Sequence, residues 1–146
     1  IEEKEAVIED LDLGVANIIP TQFRQLIYNL LSNALKFAKP DIAPLIAITC
    51  TNSKYEEFRN SILPARKIPA EKAYCHITVK DNGIGFEPHF SERIFEVFQK
   101  LHPKEEYAGT GIGLAIVKRI VNNHNGFITA KSTLGEGVTF DIYIPE

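Results

Sequence analysis

The chain reads as an α/β (α+β) two-layer sandwich, a mixed sheet with helices on one face. Three observations predict it. Short β-rich runs alternate with period two near both ends and in the middle. Two longer stretches carry apolar residues at helical spacing. The order is strands, helix, strand pair, short helix, long helix and hairpin, which suits one helical layer on one sheet. With 146 residues and 45% hydrophobic content, residues 1–146 suit a single domain with one core.

Residues 5–18 read as two short strands around the turn Asp12-Leu13-Gly14. Pro20-Thr21 opens a helix that runs to about Phe37, since proline is preset for a first helical turn. Pro40 and Pro44 bracket its end. Leu45 to Thr51 is β-rich, and Tyr74 to Lys80 forms another strand with Ile77 and Val79 on one face. The two are expected to pair. Between them, Asn52 to Lys72 is polar, contains Pro64 and Pro69, and is long for a hairpin connection, so an exposed, mobile insertion about 52–72 is expected.

After Asp81 come Asn82-Gly83-Ile84-Gly85, a short helix around Ser91 to Phe98, and an irregular segment from Gln99 to Ala108. Gly109 to Gly113 leads into a second long helix that stops at Gly126, read as a left-handed cap after Asn125. Phe127 to Ser132 and Val138 to Ile144 close the chain as a hairpin around Gly135-Glu136-Gly137. No internal repeat or low-complexity tract interrupts this order.

Sixteen basic against 19 acidic residues give a formal net charge of −3, with no basic stripe to follow a phosphate backbone, which argues against a nucleic-acid partner. Cys50 and Cys75 sit in apolar runs without the spaced companions zinc needs, and read as small core residues in a reducing compartment. No apolar stretch approaches the roughly 20 residues that span a bilayer, and Ile1 to Glu5 is acidic rather than a basic leader. A soluble, cytoplasmic domain without direct membrane contact is expected. The absence of methionine reads as a segment of a longer protein.

In the first long helix Gln22, Gln25, Asn29, Asn33 and Lys36 share one stripe, while Leu26, Ile27, Leu30 and Ala34 face elsewhere. The plain reading is a solvated face. Asparagine inside a helix nevertheless costs roughly half a kcal/mol against alanine, so two of them one turn apart call for a reason. Amide oxygens are neutral hard ligands for Mg²⁺ already shared with phosphates, and Lys36 one turn on could reach a phosphate oxygen.

Asp81 continues the inward alternation of Ile77 and Val79, so its carboxylate is expected to be buried and to need partners. Either it caps the turn before Asn82-Gly83, or it accepts a hydrogen bond from a ligand amino group such as adenine's, with Gly83 and Gly85 letting the backbone approach the base. Gly109-Thr110-Gly111-Ile112-Gly113 directly precedes a helix, where backbone N–H groups and the helix terminus suit an anion. It could equally be a hinge. A Rossmann fingerprint would directly follow a strand and a P-loop needs Gly-Lys-Ser or Gly-Lys-Thr; neither pattern is present. Phe95 and Phe98, three apart, either pack into the core or anchor a lid over residues 99–110. His76, His89, His102 and His124 all lack a following acidic residue, and none is assigned catalysis.

Together, Asn29-Leu30-Leu31-Ser32-Asn33-Ala34-Leu35-Lys36-Phe37, Asp81-Asn82-Gly83-Ile84-Gly85, Phe95-Glu96-Val97-Phe98, Gly109-Thr110-Gly111-Ile112-Gly113-Leu114 and Gly135-Glu136-Gly137 stand in a specific order. The chain resembles the catalytic, ATP-binding domain of a two-component sensor histidine kinase from about Glu5 to Pro145. Ile94 to Thr110 is most similar to kinases related to phytochromes. The resemblance implies the Bergerat (GHKL) fold, with ATP held between the first long helix and a movable lid about 99–110. It makes Asn29, Asn33 and Lys36 the catalytic set, with Asn33 on Mg²⁺, Asn29 supporting the site, Lys36 on the phosphates and Phe37 walling the base.

It further implies that Asp81 bonds the adenine amino group, that Gly83 and Gly85 line the base, and that Gly109, Gly111 and Gly113 cradle the triphosphate beside Thr110 and Leu114. Lys100 matches a basic lid position. Thr139 matches a threonine that helps hold adenine, although alternation with Phe140, Ile142 and Ile144 turns it away. Phe95 and Phe98 would dock on the helical dimerisation and phosphoacceptor domain of the same protein.

That acceptor would lie ahead of Ile1, the full-length protein would be a homodimer passing phosphate on to a response regulator receiver domain, and whether it is membrane-anchored stays open. ATP-hydrolysing relatives such as gyrases and chaperones place glutamate where Asn29 stands, so the resemblance implies a poor ATPase and a competent phosphodonor. Two rivals remain: a serine-directed anti-sigma-type kinase of the same fold, which would carry a base near Asn29, and a regulatory module that only binds ATP.

Overall fold

The computed structural model describes residues 7–10, 18–61, 67–86, 93–95 and 113–146. In chain order the elements are β1 (Val7–Asp10), α1 (Pro20–Lys36), β2 (Leu45–Lys54), α2 (Tyr55–Phe58), β3 (Ala73–Asp81), α3 (Gly113–Asn123), β4 (Phe127–Thr133) and β5 (Gly137–Pro145). Single turns of 3₁₀ helix cover Arg59–Ser61 and Arg93–Phe95. The strands form one sheet in the order β1-β2-β3-β5-β4. β1 runs parallel to β2 and every other neighbouring pair is antiparallel. This is the expected mixed sheet, with both long helices, α1 and α3, on one face. The second strand expected before residue 18 and most of the short helix at 91–98 fall outside the described residues.

Alternation assigns the two faces. Ile77 and Val79 on β3, Ile142 and Ile144 on β5 and Ile128 on β4 point to the side covered by α1 and α3. α1 contributes Leu26, Leu30 and Ala34, and α3 contributes Leu114, Val117, Ile120 and Val121. Burying each Leu or Val side chain stabilises the fold by roughly 2 kcal/mol, so the amide stripe of α1 is fixed by its opposite, apolar stripe.

α1 starts at Pro20 without a side-chain cap of its own. A tertiary cap replaces it: the Ile19 N–H donates to Nε2 of His124 at 2.9 Å, while Nδ1 of the ring lies 2.8 Å from the Ile120 carbonyl. The pair of bonds fits an imidazole carrying its proton on Nδ1. The histidine near the end of α3 thereby ties down the start of α1. At the end of α3 the left-handed residue is Asn125 (φ 58°), not the expected Gly126. A short polar side chain tolerates that conformation. Gly126 is required for another reason, because a Cβ there would run into the Tyr143 carbonyl.

Most described residues of the insertion expected at 52–72 are exposed, but Tyr55 and Phe58 are not. β2 continues to Lys54, and α2 turns Tyr55 and Phe58 onto the sheet's other face. There they form a second cluster with Tyr74 and Tyr143, with Ile68 and Phe127 against it. Phe58 stacks on Tyr143 at 3.8 Å and meets Tyr74 edge-on at 5.1 Å. Aromatic faces exposed on a sheet gain from being covered, and polar composition concealed two aromatics at the spacing that covers them.

The two cysteines are corrected as well. Residue 50 faces residue 77 across the β2–β3 ladder, so Cys50 and Cys75 are diagonal neighbours on one face. They are joined as a disulfide with Cα atoms 6.6 Å apart, within the span a disulfide bridges. The compartment inferred from unlinked cysteines loses its support.

Beside the aromatic cluster, His76 Nε2 lies 2.8 Å from Asp141 Oδ1, which also accepts from the Thr78 hydroxyl at 3.2 Å. The hydrogen bond from His76 holds the Asp141 carboxyl below its ordinary range against the opposing effect of burial, with His76 charge, Thr78 and Lys131 adding to the lowering. Burial and then the Asp141 charge push the Tyr143 phenol up to about 12.

Two outcomes follow for stability. Phe58→Ala should lower the urea-unfolding free energy by about 3 kcal/mol, whereas a loss below about 0.5 kcal/mol would mean that α2 merely rests on the surface. Because the folded-state pKa of Asp141 is depressed, its contribution exists above the ordinary carboxylate range and disappears as pH falls through the depressed value. Asp141→Asn should therefore cost about 1 kcal/mol at neutral pH, and the gap to wild type should close on acidification; a pH-independent gap would exclude the charge as its cause.

Candidate functional site

The C-terminal half of α1 carries Asn29, Asn33, Lys36 and Phe37, all partly buried rather than fully solvated. Asn29 is engaged at both ends of its amide: Gln25 Nε2 donates to its Oδ1 at 3.0 Å, and its Nδ2 reaches the Gly113 carbonyl at 3.4 Å. Gly113 begins α3, so the amide stripe touches the head of the second helix. Among the described residues, nothing lies within 4 Å of where a Cβ on Gly113 would be.

Asp81 ends β3 and is 8% exposed. Its Oδ1 accepts the Gly83 N–H at 2.8 Å, the turn-capping arrangement read from sequence. The Val138 N–H also bonds to the carboxylate, yet desolvation by burial outweighs both bonds and raises the pKa above the usual carboxylate range. A carboxylate kept at this cost inside a loop of glycines is a recurrent sign of function.

The glycines are needed by the protein's own packing. A Cβ on Gly83 would lie 2.6 Å from the Phe37 carbonyl, and Gly85 has φ +69° with Thr133 O 2.5 Å from the Cβ position. The Ile84 N–H donates to the Phe37 carbonyl at 2.9 Å, and the Gly135 N–H donates to the Ile84 carbonyl at 2.8 Å. The loop after β3 is therefore fastened to the end of α1 on one side and to the β4–β5 turn on the other. Ser132 adds a further tie, accepting the Phe86 N–H at 2.8 Å and donating to the Gly137 carbonyl at 2.7 Å.

The structure thus joins Asn29 to Gly113 and Phe37 to the loop of Asp81, Gly83 and Gly85, with Asn33 and Lys36 on the same helix as Asn29. Phe98, Lys100, Gly109, Thr110 and Gly111, with the rest of the expected lid, lie outside the described residues. Leu114 is turned into the core. Thr139 is not brought to the site: it pairs with Lys80 and Lys131, and strand alternation places it on the face opposite Asp81. Phe95 packs edge-on to Phe140 at 6.2 Å, with Lys118 Nζ 5.9 Å from its ring centre. Burial lowers the Lys118 pKa. Asn82, Ser132 and Gln25 take structural parts in the site that sequence reasoning did not assign; the place of Asn82 between Asp81 and Gly83 and the spacing of Gln25 one turn before Asn29 were the available signals.

Residues 18–146 match the family described as histidine kinase-, DNA gyrase B- and HSP90-like ATPases. The chain belongs to that family. It is 44% identical over 125 residues to cyanobacterial phytochrome A of Nostoc sp., covering 86% of this chain and 14% of that protein. It is 40% identical over 145 residues to phytochrome-like protein Cph1 of Synechocystis sp., covering 99% of this chain and 17% of that one. The family member therefore spans less than a fifth of these relatives' length. Their names agree with the phytochrome-related features of residues 94–110. In three dimensions it is similar to the mycobacterial sensor histidine kinase MprB, with TM-score 0.69, 21% identity and coverage of 97% of this chain and 82% of that one. It is also similar to full-length ShkA in complex with AMPPNP, with TM-score 0.69, 25% identity and coverage of 99% and 26%.

The raised pKa of Asp81 gives a signed expectation. Its favourable contribution is present at low pH and is lost as pH rises through the folded-state value. Asp81→Asn keeps an oxygen to accept from Gly83 and removes a buried charge, so its melting temperature at pH 7 should match or exceed wild type. Wild type should gain on the variant as pH falls toward 4; a lower melting temperature for the variant at pH 7 would refute this.

Proposed function

We propose that this domain binds Mg-ATP and transfers the γ-phosphoryl group to a histidine on a dimerisation and phosphoacceptor domain outside this chain, within a two-component signalling protein. The observation that carries the proposal is the buried Asp81 carboxylate, held open-ended among glycines directly beside the amide-bearing half of α1, in a member of an ATP-binding family. Asp81 would accept from the adenine amino group, Gly83 and Gly85 would line the base and Phe37 would wall it. Lys36 would meet the phosphates. An amide oxygen of Asn33 suits Mg²⁺ shared with those phosphates, and the start of α3 at Gly113 would offer a helix terminus to the anion.

The bound metal would supply charge neutralisation at the phosphates. The chain's own part is positioning, which suffices for phosphoryl transfer when the acceptor is a neutral imidazole nitrogen. Asn29 supports transfer over hydrolysis: it carries no carboxylate to activate water, and both ends of its amide are engaged. The match to phytochromes and the ShkA–AMPPNP complex support ATP as ligand. The same reading gives a homodimeric full-length protein, a response regulator as the next acceptor, docking through Phe95 and Phe98, and a cytoplasmic location for the domain. Among the described residues no helix is long and apolar enough to cross a membrane.

Calorimetry with a nonhydrolysable ATP analogue and magnesium should give a heat of association that Asn33→Ala and Asp81→Asn each weaken at least about tenfold, the worth of one good charge-assisted contact. With radiolabelled ATP and a separately made cognate helical hairpin, label on the hairpin should be acid-labile. No binding heat would defeat the proposal, and acid-stable label would favour the serine-directed rival.

A further inference from the structure

The β2–β3 ladder ends at the pair Ile46–Asp81. One residue further, the chain must leave the sheet to make the turn into Gly83. Asn82 manages both demands. Its backbone N–H donates to the Leu45 carbonyl at 3.3 Å. Its side-chain Oδ1 accepts the Leu45 N–H at 2.9 Å, and its Nδ2 donates to the Ala43 carbonyl at 3.3 Å. The side chain thus replaces the main-chain acceptor that the ladder would have needed, and the Asn82 carbonyl is released to turn. Asparagine is suited to this because one short side chain offers both an acceptor and a donor; serine and threonine carry one hydroxyl, and an ionised aspartate only accepts.

Leu45 is also the partner of Val7 on β1. The strap therefore lies between the outer parallel strand and the loop that carries Asp81. On the loop's other side are the Ile84–Phe37 and Gly135–Ile84 bonds. With Asn82 removed, the peptide between Asp81 and Gly83 would lose its only described side-chain fastening toward β2, while those bonds remain.

We infer that Asn82 is a positioning residue for base selectivity: by strapping the loop to residues 43–45 it sets the direction in which the Asp81 carboxylate faces a purine 6-amino group. This rests on the reading that Asp81 accepts from adenine. A group that merely stabilised the fold would affect all nucleotides alike, whereas one that aims Asp81 affects the distinction between a 6-amino donor and a 6-oxo acceptor.

The test is calorimetric titration of wild type and Asn82→Ala with the nonhydrolysable analogues of ATP and of inosine triphosphate, each with magnesium. Wild type should prefer the adenine analogue by about tenfold or more, the consequence of one buried hydrogen bond made or lost. Asn82→Ala should lose most of that ratio while its affinity for the inosine analogue changes little. An unchanged ratio in the variant overturns the Asn82 inference and leaves the adenine reading standing. No preference in wild type overturns both.

Should the alanine variant not fold, hydrogen exchange on wild type gives the answer without mutation. The Leu45 amide, which donates to Asn82, should become more protected with the adenine analogue than with the inosine analogue. Equal protection overturns the inference.

Discussion

A carboxylate has to be buried at the end of a central strand without being fully neutralised by the protein around it, and much of the site is arranged to meet that condition. Asp81 receives two backbone N–H bonds, from Gly83 and Val138, and burial still dominates its electrostatics. Glycines let the backbone pack tightly around it. Gly137 passes so close over the Asp81 carbonyl that a Cβ there could not be accommodated, and Gly83 is pressed against the end of α1. Two backbone donors do not fill the accepting capacity of two carboxylate oxygens, and on the proposed reading a neutral amino donor on a ligand would use the remainder.

Where local chemistry decided the outcome, the sequence was readable. The apolar stripe of α1, the alternation that buries Ile77, Val79 and Asp81, and the glycine turn between β4 and β5 each depend on residues a few positions apart, and each stands where period and turn chemistry put it. The loop 81–85 was legible both as a capped turn and as a binding element, and the two readings are compatible because one oxygen of Asp81 caps the turn while the group as a whole remains short of partners.

What escaped the sequence depended on contacts distant along the chain. The excursion after β2 looks polar because only two of its early residues, Tyr55 and Phe58, carry its packing; their worth is visible only once Tyr74, Phe127 and Tyr143 are known to share the sheet's outer face. Cys50 and Cys75 become neighbours through strand register, and composition says nothing of register. His124 was assigned no role from sequence, although it caps a helix more than a hundred residues earlier. Thr139 illustrates the converse: the motif match favoured the site, and the period-two alternation already on the page was the better guide.

Asn29 shows what an amide does in the structure that a carboxylate could not. A carboxylate at this point of α1 could polarise water, but it could not donate to the Gly113 carbonyl, since an ionised acid only accepts. It would instead face that carbonyl oxygen and repel it. The amide joins α1 to the first residue of α3 and takes Gln25 as its second partner. Losing a base and gaining a tie between the two helices are therefore the same event. The tie holds the start of α3, which follows the glycine segment, against the amide stripe, and on the proposed reading that fixed position is what a phosphodonor needs.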